Sequence, residues 1–143
     1  MQTIKPGTKI LADRGLREQL IAGAVSVREN SYSPYSHYKV GAALMGASGR
    51  IYTGANFENA SYGAGTCAER VALGAALSAG ERSFAALCVC AEDESVTPCG
   101  ICRQALSEFG DIPVICVGAD GKTVREYRLG ELLPSGFGPA NLE

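Results

Sequence analysis

The sequence predicts an α/β fold, a three-layer α-β-α sandwich around a mixed five-stranded sheet. The prediction depends on the order of the periodic segments, which is helix, strand pair, helix, strand, helix, strand pair. The link within each pair is too short for a crossover, so both pairs are expected to be antiparallel. With 143 residues, 46% of them hydrophobic and 20% charged, one domain over residues 1–143 is expected to bury a core.

Each element has its own sequence pattern. Apolar residues at helical spacing between Leu16 and Val27 predict the first helix, and an Ala- and Gly-rich segment from Thr66 predicts the second. Thr97 and Pro98 are expected to be the cap and the first-turn proline of a third helix. The expected elements are, in order, helix 13–29, strands 39–45 and 50–56, helix 66–79, strand 84–91, helix 98–109, and strands 112–117 and 123–129.

The composition excludes several classes of protein. A net charge of −2 without a dense Lys/Arg cluster argues against a nucleic-acid partner. No segment approaches the roughly 18 apolar residues of a membrane span, so no membrane partner is expected. The first nine residues are polar and lack the apolar centre of a signal peptide. A cytoplasmic protein is therefore expected.

The six cysteines fall into two groups. Three of them lie in apolar, strand-like segments, where free cysteine behaves as a small hydrophobic residue: Cys88, Cys90 and Cys116. The other three lie among turn and helix-start residues: Cys67, Cys99 and Cys102. Without a secretory signal, this second group is more consistent with metal binding or redox chemistry than with disulfides.

The second group has the pattern of a catalytic zinc site. Cys99 and Cys102 are three residues apart, so both thiols project from the same side of a helix start, and Cys67 opens another helix. Helix N-termini favour thiolates, and three ligands leave the fourth position that a catalytic zinc requires. Two alternatives remain: His37, the only histidine, as a fourth ligand that closes the site, and a redox-active Cys-x-x-Cys pair.

Glu69 has two interpretations. With Thr66 it forms a capping box, in which the carboxylate only accepts a backbone N–H. Alternatively it carries protons beside the metal, which requires Cys67 to lie at the rim of the helix, because residues two apart do not face each other. Cys-x-Glu followed by Pro-Cys-x-x-Cys is the three-cysteine form of the zinc-deaminase signature. This pairing favours the proton carrier.

The chain resembles cytidine deaminase of the small, free-nucleoside type along nearly its whole length. The matching segments are 33–36, 38–43, 56–62, 66–70, 98–104 and 132–134. The resemblance implies zinc-dependent hydrolytic deamination of cytidine and deoxycytidine to uridine and deoxyuridine with release of ammonia, in pyrimidine salvage. One Zn²⁺ per subunit would act as a Lewis acid, and Glu69 would move the protons.

The resemblance also implies roles for residues around the metal. Those expected to bind the nucleoside are Tyr38, Asn56, Phe57 and Glu58, where Tyr38 departs from the phenylalanine usual in the family. The family is homotetrameric, and the residues expected to enter a neighbouring subunit's pocket are Ala60, Tyr62 and Phe137. Three thiolates leave zinc with a formal charge of −1, which a nearby cation would offset. Arg70 is the first candidate for that cation, and Arg103 is the second.

Three other functions remain open in the sequence. One is deamination of another aminopyrimidine nucleoside such as blasticidin S, although the segment 56–62 favours cytidine. A zinc-stabilised binding module without turnover is a second, and it would not need the carboxyl group of Glu69. A polynucleotide deaminase is disfavoured by the acidic balance and the lack of a basic channel.

Overall fold

The computed structural model of the chain describes residues 13–143. The expectation about a signal peptide concerns residues 1–9 and lies outside the described residues. The helices and strands are α1 (Arg14–Arg28), β1 (Gly41–Gly46), β2 (Ile51–Ala55), α2 (Ala68–Ser78), β3 (Phe84–Cys90), α3 (Gly100–Ser107), β4 (Pro113–Val117), β5 (Val124–Arg128) and α4 (Leu129–Leu132). Two short 3₁₀ turns, Tyr62–Ala64 and Pro139–Leu142, complete the described elements.

The sheet has the strand order β2-β1-β3-β4-β5. β3 and β4 are parallel, joined by a crossover through α3, and the other neighbouring pairs are antiparallel. β1 lies between β2 and β3, and its Ala43 lies opposite both Thr53 of β2 and Cys88 of β3. The predicted mixed five-stranded sheet is therefore confirmed.

Each face of the sheet has its own core. On one face, α1 packs Leu20 and Ala24 against side chains of the central strands, including Met45, Cys88 and Cys90. On the other, residues of α2 and α3 pack against side chains of alternate parity, including Leu44, Val89 and Cys116. The layers are thus α1, the sheet, and α2 with α3, as predicted. Cys88, Cys90 and Cys116 are fully buried, as expected of cysteines that pack as small apolar side chains.

Gly54 in β2 sets the position of α2. A Cβ atom at this residue would lie 2.5 Å from the backbone N of Ala72 and 2.7 Å from the carbonyl O of Ala68. These distances are shorter than van der Waals contact, so only glycine allows the helix to approach the strand this closely. The first turn of α2, which carries Glu69, is placed by this approach.

The differences from the predicted elements are local. The final strand ends at Arg128, because Leu129 begins the short helix α4, which sequence periodicity missed. The third helix ends at Ser107 rather than at residue 109. Among the described residues, no helix has both the length and the apolar character needed to cross a membrane.

Candidate active site

Helix α2 begins differently from the prediction. Its N-cap is Cys67, not Thr66, and the thiol caps no backbone N–H of the described chain. Thr66 lies before the helix, and its backbone pairs with that of Phe57. Its N–H donates to the carbonyl of Phe57 (3.0 Å), and its carbonyl accepts from the N–H of Phe57 (3.1 Å). The proposed Thr66–Glu69 capping box is therefore wrong. Cys67 lies at the rim of the helix, which is the condition for its thiol and Glu69 to reach one pocket.

The start of helix α3 also differs from the prediction. Its N-cap is Cys99, whose thiol also caps no N–H among the described residues, and Cys102 lies in the first turn. Thr97 is not the cap; its hydroxyl instead accepts a hydrogen bond from Arg103. Two helices thus bring uncapped cysteines to the same place.

The thiols of Cys67, Cys99 and Cys102 form a compact group, called here the cysteine group. All three sulfurs lie within 4.8 Å of one another, and the Sγ atoms of Cys67 and Cys99 are 3.7 Å apart. Within residues 13–143, this is the only group of three or more Cys, His, Asp or Glu side chains with such spacing. His37 does not belong to it, so closure of the site by His37 is not supported.

The pKa values of two of the thiols shift in opposite directions, in a way that suits metal binding. A hydrogen bond from the thiol of Cys102 is the main cause that lowers the pKa of Cys67 to about 5, and Arg70 adds to the effect. The same hydrogen bond, together with burial, raises the pKa of Cys102. The directions are opposite because two adjacent thiols share one proton, which a bound cation displaces. Thiolate donors at this spacing fit Zn²⁺.

Glu69 is almost completely enclosed beside the cysteine group, with 4% of its surface exposed. Burial is the main cause that raises the pKa of its carboxyl group, and the negative charge of Cys67 adds to it. The Cys102 thiol acts in the opposite direction and partly offsets this rise in the pKa. A buried acid whose proton is held more tightly than usual suits proton transfer near neutral pH.

The two candidate cations behave differently. Nη2 of Arg70 lies 3.8 Å from the sulfur of Cys67, and within the described chain its buried Nε has no hydrogen-bond partner. Arg103 forms no hydrogen bond to any of the three sulfurs. Its guanidinium donates instead to the Pro98 carbonyl, the Leu132 carbonyl and the Thr97 hydroxyl. The structure therefore brings only Arg70 to the thiols.

A cavity of about 250 Å³, called the small cavity, gives access to the acid and the thiols. It brings together five of the predicted site residues and four that sequence reasoning missed. The predicted ones are Tyr38, Asn56, Glu69 and the two cysteines at positions 67 and 99, and the missed ones are Val40, Ala68, Val96 and Thr97. The one sequence signal of the last three is adjacency to the cysteine motifs, and Thr97 was instead interpreted as a helix cap. Desolvation is the main cause that raises the pKa of Tyr38, followed by the charge of Asp93.

A second cavity of about 570 Å³, the large cavity, shares Asn56 and Cys67 with the small one. The predicted residues Phe57, Glu58, Tyr62 and Arg70 line it, together with the loop residues Tyr35, Ser36, Asn59, Gly65 and Thr66. Its volume falls in the range of small-molecule sites. Sequence reasoning had assigned no role to these loop residues except Thr66, which it interpreted as part of a capping box.

Asn56 and Glu58 also order the loop that forms one wall. The amide of Asn56 donates to the Tyr38 carbonyl (2.8 Å) and accepts from the N–H of Val40 (2.9 Å). The carboxylate of Glu58 accepts from the N–H groups of Tyr35 (3.0 Å) and Ser36 (3.1 Å) and from the Ser36 hydroxyl. The Ser36 hydroxyl is the main cause that lowers the pKa of Glu58.

The residues expected to serve a neighbouring subunit lie at the surface. Tyr62 is 82% exposed and Phe137 is 57% exposed, and Ala60 is exposed as well. Phe137 is held by its backbone, because its carbonyl accepts a hydrogen bond from the side chain of Gln104 (2.8 Å). It lines neither the small nor the large cavity.

Comparison with known proteins agrees with this geometry. Residues 15–119 match the family model of the cytidine and deoxycytidylate deaminase zinc-binding region. A cytidine deaminase of Sporosarcina psychrophila is 45% identical over 128 residues, covering 87% of this chain and 93% of the relative. One from Halalkalibacterium halodurans is 44% identical, covering 85% and 93%. The crystal structure of the Burkholderia pseudomallei cytidine deaminase superposes with a TM-score of 0.78 at 45% identity, covering 83% of this chain and 97% of that one. The chain belongs to the cytidine and deoxycytidylate deaminase family, and zinc is its cofactor.

Proposed function

We propose that this protein is a zinc-dependent cytidine deaminase that converts cytidine and deoxycytidine to uridine and deoxyuridine and releases ammonia. The observation that carries the proposal is a buried carboxyl group, that of Glu69, in one cavity with two thiols of a three-cysteine group. Relatives that are 44–45% identical over most of their length are cytidine deaminases, which supports the same substrate for this chain.

Cys67, Cys99 and Cys102 would hold the zinc ion. When bound, zinc supplies a Lewis acid that makes water a stronger nucleophile at neutral pH. Glu69 accepts one proton from the attacking water and delivers it to the pyrimidine ring nitrogen. It then accepts the second proton of the same oxygen and delivers it to the amine, which leaves as ammonia. Its raised pKa supports this role, because the carboxyl group must hold the proton between the two transfers.

Arg70 offsets part of the negative charge of the site. Three thiolates and one Zn²⁺ sum to −1, which would weaken the Lewis acid. The guanidinium of Arg70 lies beside Cys67 and draws charge from its sulfur. The cation also favours the thiolate form of Cys67.

The nucleoside would lie across the two cavities. The base would face Glu69 and Tyr38 in the small cavity, and Asn56, Phe57 and Glu58 would line the sugar side. The hydrogen bonds of Asn56 and Glu58 keep loop 31–40 against the site. The two side chains therefore shape the pocket in addition to binding sugar hydroxyls.

A homotetramer would complete each pocket, with Ala60, Tyr62 and Phe137 reaching into neighbouring subunits. The support is the exposure of large aromatic side chains around the site, which is unusual unless a partner covers them. The protein would act in the cytoplasm, in pyrimidine salvage.

The test is an ultraviolet assay with the zinc-loaded protein and cytidine or deoxycytidine, with product identification by chromatography. Formation of uridine and deoxyuridine is expected. A binding module without turnover predicts no product with any nucleoside. Turnover of another aminopyrimidine nucleoside, with cytidine and deoxycytidine untouched, would overturn the proposed substrate.

A further inference from the structure

Arg103 joins two segments that are distant in the sequence. On the segment that precedes Cys99, the Pro98 carbonyl accepts a hydrogen bond from Nε of Arg103 (2.6 Å) and the Thr97 hydroxyl accepts one from Nη2 (2.9 Å). In α4, the Leu132 carbonyl accepts a hydrogen bond from Nη1 of Arg103 (2.8 Å). All three acceptors are neutral oxygens, and the contacts are partly buried. The guanidinium therefore links residues 97 and 98 to Leu132 of α4, and it does not offset the charge of the thiolates.

The segment that Arg103 holds has few restraints on its backbone, although the Val96 side chain packs against the core. Within the described chain, residues 96–98 take part in no backbone–backbone hydrogen bond, and Pro98 has no N–H to donate. Yet this segment leads directly into Cys99, and Val96 and Thr97 form a wall of the small cavity beside Glu69. A loosely held segment would leave the Cys99 thiol free to move away from Cys67 and Cys102.

We propose that Arg103 is a positioning residue that fixes segment 97–99, and with it the Cys99 thiol and the Thr97 wall, against α4. Its effect on activity rests on the proposed deaminase function, whereas its effect on zinc affinity does not. The planar guanidinium matches the task, because it presents several donors in a fixed fork, and a lysine ammonium on a flexible stem does not reproduce them.

The experiment compares zinc affinity in Arg103→Gln and Arg103→Lys with that of the native protein, by competition with a chromophoric chelator. Residues that orient metal ligands typically contribute about 10- to 100-fold in metal affinity. We expect Arg103→Gln to weaken zinc binding about 10-fold or more, which corresponds to about 1.4 kcal/mol. Arg103→Lys is expected to recover only part of the loss, and guanidinium ion is expected to restore part of the affinity of Arg103→Ala.

A second readout separates positioning from general stability. Zinc stabilises the fold in proportion to its affinity for the folded state. A positioning role predicts that the difference in melting temperature between zinc-loaded and zinc-free protein shrinks in Arg103→Gln. A purely structural role lowers both melting temperatures equally and leaves the difference unchanged, which would overturn the proposal.

Arg82→Gln is the matched control, because Arg82 also donates to two backbone carbonyls, those of Leu77 and Glu81, but at the other end of α2. It is expected to leave zinc affinity unchanged. If Arg103→Gln does not fold, Thr97→Val removes one of the three acceptors and is expected to weaken zinc binding about 3-fold, a smaller share of the effect of metal-orienting contacts. Native zinc affinity in every Arg103 and Thr97 variant that folds would contradict the proposal, even if the native protein proved inactive on cytidine.

Discussion

The two helices that meet at the cysteine group begin alike but carry different side chains. Both α2 and α3 start at an uncapped cysteine. The first turn of α2 then supplies a buried acid and a cation that faces a sulfur, Glu69 and Arg70. The first turn of α3 supplies a second thiol and Arg103, whose donors bind carbonyl and hydroxyl oxygens. The comparison suggests that α2 carries the proton chemistry, whereas α3 keeps the ligands in place.

The largest effect is expected from Glu69→Gln. The amide keeps the size of the side chain but does not carry a proton between water and the base, so kcat is expected to fall about 10²- to 10⁴-fold. Zinc content should remain native, because Glu69 is assigned no ligand role. Steady-state kinetics with zinc analysis of the same sample measure both. Glu18→Gln, at an exposed position of α1, is the control, and loss of zinc in Glu69→Gln would break the division of roles.

Arg70→Gln should have the next largest effect. Removal of the cation beside Cys67 is expected to lower kcat about 10- to 100-fold, the range found for groups that contact metal ligands. Because Arg70 also favours the thiolate of Cys67, zinc binding should require a higher pH than in the native protein. Chelator competition across pH 6 to 9 gives the readout. An unchanged pH dependence would show that Arg70 does not affect the ionisation of Cys67.

Gly54→Ala tests whether the placement of α2 matters for the site. The added Cβ would collide with the backbone of α2 at Ala68 and Ala72, so a loss of about 1–3 kcal/mol in unfolding free energy is expected, with a fall in kcat because Glu69 moves with the helix. Urea unfolding and kinetics measure these effects. Gly74→Ala is the matched control, since a Cβ there meets no described atom within 4 Å, and it should stabilise the helix by about 0.5–1 kcal/mol.

The smallest effect is expected at Asp120, which lies in neither helix. Hydrogen bonds from the N–H groups of Thr123 and Lys122 lower the pKa of its carboxyl group to about 2, from 3.8. A lowered pKa in the folded state means that this contribution to stability is complete above about pH 4 and is lost as the pH falls through about 2. Urea midpoints of Asp120→Ala should lie below native ones at pH 6, and the gap should narrow towards pH 2. Zinc affinity at pH 7 should not change, and a change would link this turn to the site.

Much of the fold and the cysteine group could be predicted from the sequence, because hydrophobic periodicity and cysteine spacing are local signals. The helix caps could not. Thr66 and Thr97 have the side chains that favour an N-cap, but the first is paired with Phe57 and the second accepts from Arg103. The same limit applies to Arg103, because its Leu132 partner lies 29 residues away and no local pattern indicates it. The roles assigned to Tyr38, Asn56, Phe57, Glu58, Ala60, Tyr62 and Phe137 stay predictions.

The most direct test of the central claim is a zinc titration of activity. Protein stripped of metal with a chelator under reducing conditions is reloaded in steps, and cytidine turnover is measured at each zinc content. The structure has one three-thiol group in the described chain, so activity should rise linearly and reach its maximum at one zinc per chain. Full turnover of cytidine by the metal-free protein, or none at one zinc per chain, would contradict the account.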